Sequence, residues 1–320
     1  LHDRLDLEKE QIYGMQGERG AHYLEMDLTL SDGLLGLIGE VETQTELGGT
    51  SSEKTQNILN LINQNINSER LVHAFFGARL PLPAFKLAKL KFTPSVFYQY
   101  KLGVSFSFSN QVEATDPRAQ IYLKMDQKTG FSTLIENSES HQFWFSLYQL
   151  KRQDFKEQRS AQDIAANEKV FDLDQLDLTQ TTWELDLRFR TELYRYIFYT
   201  VGLDEITLDQ KSEHDSFFGK RPLWYQQFDY TRGDYRLYAG HHLRERYPIA
   251  DGLYLGGLWR VVEDLPVSFK THLTTGTLSL GGVLETSFIT AQYTYQTPHQ
   301  NPQDDTWAYS LHKISFAIPF

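Results

Sequence analysis

From about Lys89 onward the chain alternates. Trp183, Leu185, Leu187 and Phe189 take every second position, with Glu184, Asp186, Arg188 and Arg190 between them. Val104, Phe106 and Phe108 alternate with Ser105, Ser107 and Ser109, and Tyr235, Leu237 and Ala239 with Arg236, Tyr238 and Gly240. Ile289, Ala291, Tyr293 and Tyr295 alternate with Thr290, Gln292, Thr294 and Gln296. A period of two is that of a half-buried β-strand. Bulky apolar faces backed repeatedly by charged or small ones fit a wall with hydrocarbon on one side and water on the other.

The pattern predicts about fourteen strands, near 89–98, 102–110, 119–126, 130–137, 141–151, 181–191, 193–203, 222–231, 234–244, 252–262, 266–274, 277–285, 287–297 and 306–320, with twelve also compatible. Many have the roughly 9–11 residues that cross a bilayer at a tilt. The expected fold is therefore all-β, a transmembrane antiparallel up-and-down barrel occupying residues 89–320.

Residues 1–88 read differently. Thr50 followed by Glu53 forms a capping-box pattern. Behind it Ile58, Leu59, Ile62 and Ile66 share a helical face, apart from Asn60, Asn63, Gln64 and Asn67. This amphipathic helix needs a surface, and the expected place is the lumen or the periplasmic mouth, as a plug or periplasmic segment. A second helix is expected around Ala161–Val170.

Connection lengths sort by side. If the last strand ends in the periplasm, the long connections 152–180, 204–221, 245–251 and 298–305 fall outside the cell. The short ones near 191–193, 232–233, 263–265 and 285–287 fall inside, the asymmetry of outer-membrane barrels. Three connections break the parity: 111–118 is long for an inner turn, while 127–130 and 275–276 are short for outer loops.

Composition narrows the alternatives. Mean hydropathy is −0.46, and no run approaches the roughly 18–20 apolar residues of a membrane helix, which excludes a helical membrane protein. Aromatics make up 14% of the chain, with Tyr 18 and Phe 21 ahead of Trp 5, as interfacial girdles require. Cysteine is absent, so there is no disulfide or thiolate chemistry. A formal charge of −11 argues against general nucleic-acid binding. Leu1–Glu10 carries interspersed charges and no signal-peptide pattern, so an exported protein is expected here in its processed form.

The last strand closes on Phe320, with Ile318, Phe316 and Ile314 at alternate positions before it and His312 departing from the pattern. It resembles the terminal signal of Gram-negative outer-membrane proteins. That resemblance implies recognition by the barrel-assembly machinery, and surroundings of outer-membrane lipid and lipopolysaccharide. The N-terminal segment followed by about fourteen strands resembles, in architecture, the long-chain fatty-acid transporter family and its conjugation-associated relatives. The family's Asn-Pro-Ala hatch motif is missing from the N-terminal region, so no ligand-binding residue is carried across.

Candidate chemistry lies on the charged faces. Turned to lipid, a midplane Arg or Lys would cost about 2–4 kcal/mol, so Glu184, Asp186, Arg188 and Arg190 are expected to line the lumen. Arg236, His242 and Arg244 belong with them, as does Lys270, which shares its face with His272. They are candidates for ligand contact or for a network holding a plug; an ordinary solvated lumen is the plainer reading. His241 and His242 point to opposite faces of a strand and do not readily share a metal ion; no metal or cofactor is expected. The acidic stretch from Phe171 to Asp177 reads as a solvated loop. Ser310 and His312 share a face without the surroundings of a known outer-membrane hydrolase.

Three functions follow in descending order. The barrel passes small molecules, hydrophobic ones included, across the outer membrane. Alternatively it anchors loops or a periplasmic partner without transport. A membrane-embedded hydrolase comes last.

Overall fold

The computed structural model describes residues 22–46, 49–66, 68–109, 118–138, 141–166, 178–212, 222–244, 249–260, 265–299, 307–308 and 310–319. Fourteen long antiparallel strands form a closed barrel. They are β1 (His22–Ser31), β2 (Ser68–Pro81), β3 (Leu90–Ser109), β4 (Arg118–Ser138), β5 (His141–Ser160), β6 (Leu178–Tyr194) and β7 (Ile197–Ser212). The ring continues through β8 (Leu223–Arg232), β9 (Tyr235–Arg244), β10 (Leu253–Arg260), β11 (Val267–Thr274), β12 (Thr277–Glu285), β13 (Thr290–Pro298) and β14 (Leu311–Pro319). Each strand pairs with its sequence neighbours, and β14 returns to β1 with Phe316 opposite Met26 and Ile314 opposite Leu28. Phe85–Leu87 doubles back on the start of β3, and Trp307–Ala308 lies parallel to β2.

One phase of every strand points out. Met26, Leu28, Phe76, Val96, Phe131, Phe189, Phe228, Leu237, Leu255, Val267, Leu280, Tyr293 and Phe316 are all exposed large apolar residues. The opposite phase is buried and polar: Asp126, Arg152, Glu184, Asp229, Lys270 and His272 are among its members. This inverts a soluble core, where the apolar phase is the buried one. Closure removes the sheet edges that hydrocarbon would leave without hydrogen-bond partners. An apolar belt around a polar interior makes this an outer-membrane β-barrel.

The wall is not of even height. Strands β3 to β5 run for 20, 21 and 20 residues, against 8 to 9 in β10–β14. On β5 the outward residues are Phe143, Phe145 and Leu147, followed by Gln149, Lys151 and Gln153. The apolar belt therefore stops near Leu147, and the remainder of β5 projects beyond it. We call the end where β14 finishes the base and the opposite end the crown. Both sequence segments 89–98 and 102–110 belong to β3, and 119–126 and 130–137 to β4, while β1 and β2 come from the region expected to be a separate N-terminal segment. The wall thus begins at His22 rather than at residue 89. Two fusions and two additions leave the number of strands at the expected value.

The helices α1 (Leu34–Glu46), α2 (Ser51–Gln64) and α3 (Ala161–Ala165) are at the crown. Thr50 caps α2: its Oγ1 accepts from the Glu53 amide at 3.3 Å while the Thr50 amide donates to Glu53 Oε2 at 2.8 Å. Ser160 and Asp163 repeat the device on α3. The buried face of α2 is Ile58, Leu61 and Ile62; Ile66 lies beyond the helix end. Leu37, Ile58, Leu61, Ile62, Ala161 and Ile164 pack together with Phe108 and Ala119. Phe108 and Ala119 are direct cross-strand partners with no register break back to Val96 and Phe131. They therefore share the outward phase. The helices sit against the outer face of the projecting wall at the crown, not in the lumen, one of the two places expected for the amphipathic helix.

Candidate functional site

The inward phase of β4–β8 carries a bonded array of charges. Glu184 is fully buried and accepts from the Thr182 hydroxyl at 2.8 Å. Asp186 accepts from the Tyr148 hydroxyl at 2.9 Å and from the Glu205 amide at 2.7 Å. Arg188 donates to the Tyr225 hydroxyl and lies 5.3 Å from that ring's centroid. Arg190 lies 4.4 Å from the centre of the Phe198 ring. Lys128 faces Glu205 at 3.6 Å and sits 4.6 Å from the centre of the Tyr148 ring.

Asp204 and Glu205 are consecutive, yet both are buried. A regular strand cannot do this, since neighbours face opposite ways. Register breaks on the paired stretch of β6 and a φ of 62° at Glu205 mark a bulge that turns both carboxylates inward.

Toward the crown, Arg152 binds Asp126 through two parallel hydrogen bonds of 2.7 and 2.9 Å. Lys124 is 3.8 Å from the same carboxylate. With all three side chains nearly out of contact with water, the fork geometry offsets much of the desolvation cost.

On the lower wall, Arg236 grips Asp229 with Nε at 2.9 Å and Nη2 at 2.7 Å. Tyr238 bonds His272 Nδ1 at 2.9 Å, and His242 stacks on Tyr254 with centroids 5.8 Å apart. Lys270 is buried beside this aromatic cluster. Four lumen tyrosines face glycines across the ladder: Tyr148 opposite Gly130, Tyr225 opposite Gly202, Tyr238 opposite Gly256 and Tyr254 opposite Gly240. A Cβ at any of these glycines would fall under 3.0 Å from its tyrosine. At Gly202, Gly240 and Gly256 glycine lets the ring lie down on the neighbouring strand, and at Gly130 it lets the backbone of Leu147 and Tyr148 come close.

A cavity of about 360 Å³ opens at the base. Arg79, Lys128, Asp186 and Arg188 line it, with Phe97 and Trp144 as its aromatic surfaces and Glu25 on the β1 side. Arg79 donates to Ser95 at 3.0 Å and to Ser132 at 2.5 Å, and its guanidinium is 5.3 Å from the Phe97 centroid.

Of the residues singled out in sequence, Glu184, Asp186, Arg188, Arg190, Arg236, His242 and Lys270 lie on the inward phase, in two groups on β6 and on β9–β11. Arg244 pairs through its backbone with Leu223, and its side chain lies outside the described residues. Ile314, Phe316 and Ile318 face outward; Phe320 lies outside the described residues, as does the acidic stretch 171–177. His312 also faces outward, where its Nδ1 meets the Tyr293 hydroxyl at 2.7 Å. Ser310 bonds Tyr295 and Thr297 instead, so it forms no dyad with His312. His241 bonds the Ile249 carbonyl while His242 stacks inward, and among the described residues no three His, Asp or Glu side chains are set to hold a metal. Lys128, Tyr148, Arg152 and the Glu205 bulge were missed. Extending the alternation of β4 and β5 past residues 126 and 151 would have reached Lys128 and Arg152, while Tyr148 lay within the expected strand 141–151 and was not singled out.

No protein-family model and no curated protein matches this chain. Among solved structures, the TodX monoaromatic hydrocarbon channel with its S2 and S3 segments deleted is 8% identical, with 93% of this chain and 89% of that one covered at a TM-score of 0.48. CdiB from Acinetobacter baumannii is 10% identical at a TM-score of 0.39, and the match covers 93% of this chain but only 60% of that one. A mutant Rh. blastica porin is 7% identical, with 93% and 98% covered and a TM-score of 0.39. At this distance the likeness says nothing of substrate or partner; the barrel rests on its own strand pairing.

Proposed function

We propose that this chain sits in the bacterial outer membrane with its base toward the periplasm and passes small polar solutes through the barrel. The observation that carries the reading is the base cavity of about 360 Å³, which opens onto inward-facing Arg79, Lys128, Asp186 and Arg188. Charges of both signs within a few ångströms attract and orient small ionic or zwitterionic molecules and raise their local concentration. A hydrophobic solute, included in the expectation from sequence, would meet the buried charges Glu184, Asp126, Asp229 and Lys270 along the lumen, so the polar class is favoured. Lipopolysaccharide would surround the crown, and the alternating Ile314, Phe316, Ile318 and Phe320 would be read by the assembly machinery.

Purified protein in planar bilayers tests this. The expected result is a measurable conductance whose ion selectivity changes when Arg79 and Arg188 are both replaced by Gln. Silence across salt concentrations and voltages would overturn it.

A second reading has its own support. Glu184 and Arg152 are 0% and 1% exposed, which describes a cross-section filled by side chains. A barrel so filled would anchor its crown as a docking platform and conduct nothing. Silence in the bilayer would favour it.

A further inference from the structure

Between β2 and β3 the chain makes a small hairpin at the base, Pro81-Leu-Pro-Ala-Phe-Lys-Leu-Ala-Lys-Leu-Lys-Phe92. Phe85 pairs with Phe92, Lys86 with Lys91 and Leu87 with Leu90. Leu90 and Phe92 keep the phase of Val96 and Tyr98, so Phe85, Leu87, Leu90 and Phe92 form one outward face. Leu80 at the end of β2 and Leu82 just past it are exposed as well. Phe85 and Phe92 stack with centroids 5.0 Å apart, and Phe85 and Leu87 are 53% and 65% exposed.

This face continues the lipid belt. Phe92 pairs with Ile135, which pairs with Phe143, which pairs with Phe189, one unbroken outward apolar row across that wall. The Leu87–Leu90 pair lies about 7 Å farther along the strand. Apolar side chains at that depth meet the boundary between acyl chains and headgroups. The hairpin also holds Lys86, Lys89 and Lys91 and no acidic residue, in a chain of net charge −11. Lys91 turns inward to Glu136 at 3.0 Å, while Lys86 and Lys89 are exposed at the tip. Apolar residues next to exposed lysines are the pattern of an interfacial anchor: the stems lie along hydrocarbon and the ammonium groups reach the headgroups.

We propose that the 81–92 hairpin is a lipid-binding element that inserts Phe85, Leu87 and Leu90 into the base-side leaflet and holds anionic phospholipid headgroups with Lys86 and Lys89. The surface is continuous with the belt, and its charge is opposite both to that of the rest of the chain and to that of the lipid. The inference is independent of what the lumen conducts.

The chain has no cysteine, so Leu87→Cys and, as a control on the opposite face of the hairpin, Lys91→Cys each give a single fluorophore site in the protein. Reconstitution uses vesicles of phosphatidylcholine alone or mixed with phosphatidylglycerol, each with brominated acyl chains as the quencher. Quenching is expected at Leu87→Cys and not at Lys91→Cys. It should rise with phosphatidylglycerol, and adding Lys89→Gln should lower the ratio of inserted to free hairpin about fivefold, the effect of one lysine near an anionic surface. Heat-modifiable gel mobility verifies that each variant has formed its barrel. Equal accessibility of both sites to aqueous iodide would overturn insertion and point to a soluble partner. Equal quenching in both vesicle types would overturn headgroup recognition.

Discussion

The Gly–Tyr pairs in the lumen tie single residues to the fit of the wall. Tyr254 lies on Gly240 and donates to Gln227 at 3.0 Å. Gly240→Ala would lift the ring and break that bond, an overpacking cost of about 1–3 kcal/mol. The melting temperature in detergent should fall, while Gly282→Ala, which meets nothing within 4 Å, should leave it nearly unchanged. The fork between Asp126 and Arg152 makes a second prediction. Asp126→Asn removes the carboxylate that buried Arg152 and Lys124 share, at about 3–5 kcal/mol, and the triple variant Asp126→Leu, Arg152→Met, Lys124→Met should recover much of the loss. Denaturant midpoints in a fixed detergent measure both. On β6 the adjacent positions 187 and 188 face opposite ways. Leu187→Arg should impair membrane assembly by about 2–4 kcal/mol, and Arg188→Leu should assemble. Equal outcomes would remove the facing assignment. These facings were legible residue by residue because a period of two needs no long-range information. The partners were not: Tyr225 reaches Arg188 from two strands away, and only register brings them together.

At the level of elements, local signals were the reliable ones. Thr50 and Glu53 cap α2 as their spacing implies, but the surface that α2 covers depended on knowing that β3 and β4 outrun the belt. The Thr50 amide and hydroxyl hold the Glu53 carboxyl below its ordinary value of 4.5. A depressed carboxyl contributes stability above its unfolded pKa, and that contribution is lost as pH falls through the folded value. Hydrogen exchange at the α2 amides should therefore be flat from neutral pH to about 5, after correction for intrinsic rates, and show lost protection in stronger acid. Thr50→Ala should show the weakened end already at neutral pH. At the hairpin tip Ala88 has a φ of 56°, a conformation that costs a residue with a Cβ about 1–2 kcal/mol. Ala88→Gly should hold the melting temperature or raise it, opposite in sign to the lumen alanines. Sequence reading split β3 between 98 and 102, where no turn residue stands, and β4 at 127–130, read as a short connection ending on Gly130. Pairing with β2 and β5 keeps both extended.

Across the whole molecule, joining those strands repairs the parity of the connections. With β3 and β4 continuous, the strand ends flanking 110–117 lie at the crown with those flanking 32–67 and 161–177, and the strand ends flanking the short gaps 139–140, 195–196 and 233–234 lie at the base. Residues 127–130 are no longer a connection, and only 275–276 remains short at the crown. The strands lost to fusion were replaced by β1 and β2: in β1 Leu24, Met26, Leu28 and Leu30 alternate with Glu25, Asp27, Thr29 and Ser31, a legible signal that was passed over, whereas β2 puts Arg70 in its outward phase and Leu71 and Phe75 in its inward one. Closure itself was foreshadowed only by the terminal pattern of β14, whose apolar phase meets Met26 and Leu28 of β1. The account stands on that closed ring having lipid outside and water within. Single cysteines placed one at a time from Trp183 to Arg190, in protein reconstituted into vesicles, test it most directly. Spin labels at 183, 185, 187 and 189 should respond to oxygen dissolved in the bilayer, and those at 184, 186, 188 and 190 should be shielded from it. A smooth profile with no period of two, or equal access of a water-soluble nickel chelate to all eight sites, would contradict the barrel described here.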